Sequence, residues 1–109
     1  MIRRTRVKRS RGARRGPWRS VAYRMWIASH GCVICGHPNV QAAHTVNGGM
    51  SMKGPDSSCV PLCIPGAHGH HAEFDAGRAR FDQKYGIDMY AKSQEFYARW
   101  LAKQGKAAA

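Results

Sequence analysis

Residues 31–71, GCVICGHPNVQAAHTVNGGMSMKGPDSSCVPLCIPGAHGHH, carry all four cysteines, five of the six histidines and seven of the twelve glycines. A stretch so rich in glycine, proline and turn residues is poorly suited to a conventional hydrophobic core. Within it, Cys32-Val33-Ile34-Cys35-Gly36 sets two thiols three residues apart on a turn closed by glycine, so both sulfurs can reach one ion. A CxxC pair can also be a redox couple. Here, however, a second cluster follows: Cys63, His68, His70 and His71. Zinc takes four nitrogen or sulfur ligands, so Cys32, Cys35 and Cys63 with one histidine complete a structural site. His70 and His68 both remain open as the fourth ligand. Cys59 could fill an all-cysteine site, but at the head of Cys59-Val60-Pro61-Leu62-Cys63 it reads more simply as a small buried strand residue. Two strands are expected, Val40 to Thr45 and Cys59 to Cys63, with a loop from Gly48-Gly49 to Pro55 between them.

Helices flank this centre. Before it, Pro17 leads into a helix in which Val21, Ala22, Met25, Trp26 and Ala28 or Ser29 recur at helical spacing, and Gly31 supplies the stop. Trp18 and Trp26 sit beside that stripe and read as core anchors rather than base-stacking platforms. After His71 comes a short helical turn broken by Gly77, then a helix from Arg78 to Tyr85 with Gly86 as its C-cap. Asp88 is the N-cap expected for a last helix, Met89 to about Gln104. This helix should bury Met89, Phe96 and Trp100 beside Tyr90, Tyr97 and Leu101. The whole makes a small α+β fold in three parts: a basic arm over 1–16, one domain over 17–104, and a flexible tail over 105–109.

Charge narrows the partner. The chain of 109 residues carries 18 Lys+Arg against 6 Asp+Glu, a formal net charge of +12, and arginine outnumbers lysine 12 to 6. That bias suits bidentate phosphate contact. The arm, MIRRTRVKRSRGARRG, holds Arg3, Arg4, Arg6, Lys8, Arg9, Arg11, Arg14 and Arg15, and the first acid in the chain is Asp56. It has almost no apolar content and no helical or strand period, so it is expected to be disordered. Such an arm binds nucleic acid through its phosphates without reading sequence; a solubilising tail and a localisation signal are the plainer alternatives. No apolar run approaches the ~20 residues of a membrane span, and the N-terminus lacks a signal-peptide pattern. A soluble cytoplasmic protein is therefore expected, its cysteines thiols or metal ligands rather than disulfides.

Some histidines and acids are left over from the zinc site. His44 ends the first strand, and if residues 70 to 76 are helical, His71 and Asp75 share a face at i and i+4, able to hold a divalent cation. The ordered set CVICG, AAHT, CVPLC and GHHAEFD, trailed by Arg80-Phe81-Asp82-Gln83-Lys84-Tyr85-Gly86, resembles the HNH endonucleases of ββα-metal (His-Me finger) fold. Within them it is most similar to phage and prophage RecA-dependent recombination-enhancement nucleases. The likeness spans about residues 18 to 100.

The resemblance implies a zinc-stapled, treble-clef-like ββα-metal core and a DNA endonuclease leaving 5′ phosphate and 3′ hydroxyl ends. It implies His44 as general base, His71 as ligand of a catalytic Mg²⁺ or Mn²⁺, and His70 on zinc with Cys32, Cys35 and Cys63. Asp75 stands where some members have a further metal-binding histidine. DNA is the implied partner, with a recombinase filament as a second, in a bacterial host carrying a phage or prophage. Two positions depart from the pattern. Ala43 stands where many members have a metal-binding Asp or His, and no asparagine precedes CVPLC; Ser58 is nearest, with Asp56 close by. These departures favour an alternative of another class, a non-catalytic zinc-stapled DNA-binding module acting in recombination or packaging.

Overall fold

The computed structural model describes residues 17–49 and 52–105. The basic arm with its eight cationic side chains, and the tail beyond residue 105, lie outside the described residues. Helix α1 (Val21–Ala28) starts on Ser20, whose side chain accepts a hydrogen bond from the Tyr23 N–H at 3.0 Å. Strands β1 (Val40–His44) and β4 (Cys59–Cys63) pair antiparallel, from Val40 opposite Cys63 to His44 opposite Cys59. All five residues of β4 are buried, as its unbroken apolar sequence demands. Helices α2 (His70–Ala76), α3 (Arg78–Tyr85) and α4 (Met89–Lys103) complete a small α+β fold. Among the described residues no helix is long and apolar enough to cross a membrane.

The described residues of the segment expected to be a loop between the paired strands include two short strands. Strands β2 (Asn47–Gly49) and β3 (Met52–Lys53) form a short irregular hairpin. Its base is closed by the Gly54 N–H donating to the Val46 carbonyl at 3.1 Å, where the backbones approach too closely to admit a Cβ at position 54. After it a single 3₁₀ turn, Asp56–Ser58, delivers the chain into β4.

Helix α1 turns a different face inward from the one its stripe suggests. Tyr23 and Ile27 are fully buried, while Val21 and Met25 are 63% and 68% exposed. The face is chosen by aromatic packing: the Tyr23 ring meets Trp100 at 5.3 Å and Tyr97 at 5.8 Å, both edge-on. Trp26 is half-buried in the same cluster, whereas Trp18 lies at its rim, 42% exposed. The last helix buries Met89, Ser93 and Phe96, and the half-buried Trp100 extends the same stripe. Tyr90 falls outside that stripe and is exposed, contrary to the packing expected of it. The caps are as expected: Gly86 has a φ of 66°, and Asp88 accepts from the Ala91 N–H at 3.0 Å.

Candidate metal centre and cleft

The CVICG turn is built by backbone. The Gly36 N–H donates to the Cys32 carbonyl at 2.8 Å, the Cys32 N–H donates to the His37 carbonyl at 3.0 Å, and Gly36 takes a φ of 78°. The turn docks on β4 through the Val33 N–H and the Pro61 carbonyl, 3.1 Å apart. Cys63 ends β4, and Gly69, with a φ of 68°, turns the chain so that His70 opens α2 facing back toward it. One ligand atom each from Cys32, Cys35, Cys63 and His70 then lies within 4.8 Å of all the others.

The spacing fits a tetrahedral ion. Zinc–sulfur bonds of about 2.3 Å imply sulfur–sulfur edges of about 3.8 Å, and zinc–nitrogen bonds of about 2.0 Å imply nitrogen–sulfur edges of about 3.5 Å. The Cys35–Cys63 sulfur separation is 3.9 Å, and His70 Nδ1 stands 3.5 Å from Cys32 Sγ and 3.2 Å from Cys63 Sγ. Burial pushes the Cys63 thiol up, but the backbone N–H groups of His70 and His68 and the neighbouring thiols bring it below its ordinary value, toward the thiolate a metal needs. Of the candidates for fourth ligand, His70 is therefore the one the fold supplies. The His68 imidazole hydrogen-bonds in the centre only with Cys35, Nδ1 lying 3.2 Å from its sulfur, and the residue is exposed. Cys59 is far along β4 and fully buried, its thiol pushed up to about 12 by burial, so it stays protonated.

On the other side of α2 lies a cleft of about 470 Å³ lined by Ala42, His44, Asn47, Lys53, His71, Asp75 and Arg78. His71 and Asp75 are the i, i+4 pair, with Nε2 and Oδ2 3.3 Å apart. The other nitrogen of His71, Nδ1, is 2.7 Å from Gln41 Oε1. Arg78 spans the floor, donating to Asn47 Oδ1 and to the His44 carbonyl, each at 3.1 Å. His44 Nε2 lies 2.8 Å from Oδ1 of Asp56, whose side chain is fully buried. Burial lowers the pKa of His44; the hydrogen bond and charge of Asp56 oppose this, Lys53 and Arg19 add to it, and the ring settles below its ordinary value. It is neutral near pH 7.

Residues 10–102 match the family described as protein of unknown function (DUF968). The chain belongs to that family. The matched span holds every residue of the cysteine cluster and of the cleft. No curated protein and no solved structure matches the chain.

Each site residue predicted from the sequence within the described region is thus placed. Cys32, Cys35, Cys63 and His70 form one centre, and His44, His71 and Asp75 open on one cleft. Ala43 is fully buried because β1 alternates, so position 43 faces the core while Ala42 and His44 face the cleft. Sequence reasoning missed Arg78, Lys53, Asn47 and Gln41, none of which belongs to a motif. It noted Asp56 as the first acid in the chain and as a neighbour of the missing asparagine, and gave it no role. One signal was available: an isolated acid, the first in the chain, following ten arginines and lysines in the first 24 residues. His44, Asp56 and Cys59 also lie close enough to ligate an ion, but Arg19 and Arg24 already stand 3.3 Å from the two carboxylate oxygens. Two guanidinium groups there oppose a cation.

Proposed function

We propose that the protein is a metal-dependent DNA endonuclease of HNH type. The observation that carries this reading is that His44 and the His71–Asp75 pair open on one cleft with Arg78 and Lys53. Cys32, Cys35, Cys63 and His70 hold a structural zinc that staples the segments around it, because their spacing and donor set suit that ion. His71 and Asp75 offer one nitrogen and one oxygen donor to a Mg²⁺ or Mn²⁺, which commonly keeps waters and phosphate oxygens in its remaining positions. When bound, that cation supplies positive charge at the scissile phosphate and the leaving oxygen.

The chain's own groups do the rest. His44, neutral at pH 7, takes a proton from the water that attacks phosphorus. The bond from phosphorus to the 3′ oxygen breaks, that oxygen gains a proton from solvent, and the ends are 5′ phosphate and 3′ hydroxyl. Arg78 and Lys53 hold the phosphate in the cleft, and the arm of residues 1–16 adds affinity along the DNA backbone.

A second reading is a non-catalytic zinc-stapled DNA-binding module. It is favoured by the thin donor set for the second cation, His71 and Asp75 alone, with Ala43 turned into the core. Nicking of supercoiled plasmid by zinc-loaded protein in Mg²⁺ or Mn²⁺ separates the two. The nuclease reading expects nicking that chelator and His44→Ala both abolish. DNA binding with no metal-dependent nicking would establish the second reading.

A further inference from the structure

We propose that Asp56 is a positioning residue that locks His44 as its Nε2–H tautomer, leaving Nδ1 as the basic nitrogen presented to the cleft. A carboxylate has two oxygens with about four acceptor sites and, when ionised, no proton to give. Asp56 is fully buried, and its two oxygens take three hydrogen bonds and one further ion-pair contact. Oδ1 receives His44 Nε2 at 2.8 Å and faces an Arg19 nitrogen at 3.3 Å; Oδ2 receives the Ser20 backbone N–H at 2.8 Å and faces Arg24 Nε at 3.3 Å. Burial alone would raise this carboxyl, but the Ser20 N–H, His44 and Arg24 together hold it below the usual range. The proton of the His44–Asp56 hydrogen bond therefore belongs to Nε2.

The other ring nitrogen is then fixed as an acceptor. Among the described residues Nδ1 of His44 has no hydrogen-bond partner, it is absent from the buried unpaired atoms, and His44 lines the cleft. An asparagine at position 56 could not do the same work. Its single carbonyl cannot take all three donors and carries no charge to pair with Arg24, and its NH₂ would face either a guanidinium or the imidazole. The groups around His44 come from several elements: Lys53 on β3, Cys59 opposite it on β4, Arg78 at its carbonyl, and Arg19 beside Asp56. None of these contacts offers Nε2 a competing acceptor. The catalytic consequence rests on the nuclease reading; the tautomer itself does not.

The test is a long-range ¹H–¹⁵N correlation of the imidazole nitrogens in zinc-loaded, full-length protein near neutral pH, with His44 assigned by its loss in His44→Gln. The expected result is a proton-bearing, pyrrole-type Nε2 and a pyridine-type Nδ1. The reverse pattern, or an average over both tautomers, would overturn the proposal. Asp56→Asn should shift the ring toward Nδ1–H and slow plasmid nicking about 10²- to 10⁴-fold with zinc content retained. A folded Asp56→Asn protein with an unchanged tautomer would also overturn it. If that variant does not fold, the wild-type spectrum alone decides. A wild-type chain that shows Nε2–H yet nicks no DNA supports the assignment and removes only the nuclease reading.

Discussion

Glu73 and Asp75 lie two residues apart on α2 yet have opposite surroundings. Glu73 is held by Lys84 Nζ and the Tyr85 hydroxyl, each at 2.7 Å, whereas Asp75 turns to His71 and the cleft. Asp75→Asn should therefore reduce metal-dependent nicking nearly as much as His71→Ala, and Glu73→Gln should leave it near wild type; initial rates across a Mn²⁺ titration check both. In the proposed mechanism His44 sets the acid limb of the rate. Because burial holds its pKa below the ordinary 6.5, activity should persist as pH falls past that value and be lost only as His44 takes up a proton. A pH–rate profile with its acid limb above 6.5 would assign the limb to another group. At this scale the sequence was legible where donor groups sit close along the chain, as in Cys32–Cys35 and the neighbouring His71 and Asp75. It was silent where partners are remote: Asp56 lies 12 residues from His44, and Gln41 lies 30 from His71.

Elements with strong local rules were readable, and those settled by tertiary packing were not. Strand β4, the Gly86 C-cap and the Asp88 N-cap all follow from their own residues. The inward face of α1 does not, because Val21 and Met25 make as good an apolar stripe as Tyr23 and Ile27 until Tyr97 and Trp100 of α4 select between them. The β2–β3 hairpin was hidden for another reason: glycine-rich sequence signals a turn but leaves strand pairing to backbone contacts such as Gly54 with Val46. Glycine matters equally at the metal turn. A Cβ on Gly31 would lie 2.7 Å from the Gly36 carbonyl oxygen, which is backbone and cannot step aside. Gly31→Ala should open the turn that aims Cys32 and Cys35 and weaken zinc retention. Competition with a chromophoric chelator measures this, and wild-type retention in the variant would show that the turn tolerates the added methyl.

The domain has a small core, and chains of this size are marginal without a staple. Structural zinc supplies about 10 kcal/mol or more in small zinc-folded peptides, enough to decide whether such a domain folds. Elemental analysis should find about one tight zinc per chain, and chelation or Cys35→Ser should unfold the segment around it; a folded, zinc-free protein would return Cys32 and Cys35 to redox chemistry. The proposed DNA contact of the arm is likewise tested on the whole molecule. If half of its eight cationic side chains meet phosphates, removing residues 1–16 should make the slope of log K against log salt on duplex DNA shallower by roughly 3 to 4. An unchanged slope would mean the arm does not touch DNA. The central claim, that one cleft divides base and metal-ligand roles between two histidines, is met most directly by measuring Mn²⁺ affinity and nicking rate together for His44→Ala and His71→Ala. The account predicts that His44→Ala keeps Mn²⁺ affinity and loses about 10²- to 10⁴-fold in rate. It predicts that His71→Ala loses affinity and regains nicking at high Mn²⁺. Equal loss of metal affinity in both variants, or full nicking by His44→Ala, would contradict it.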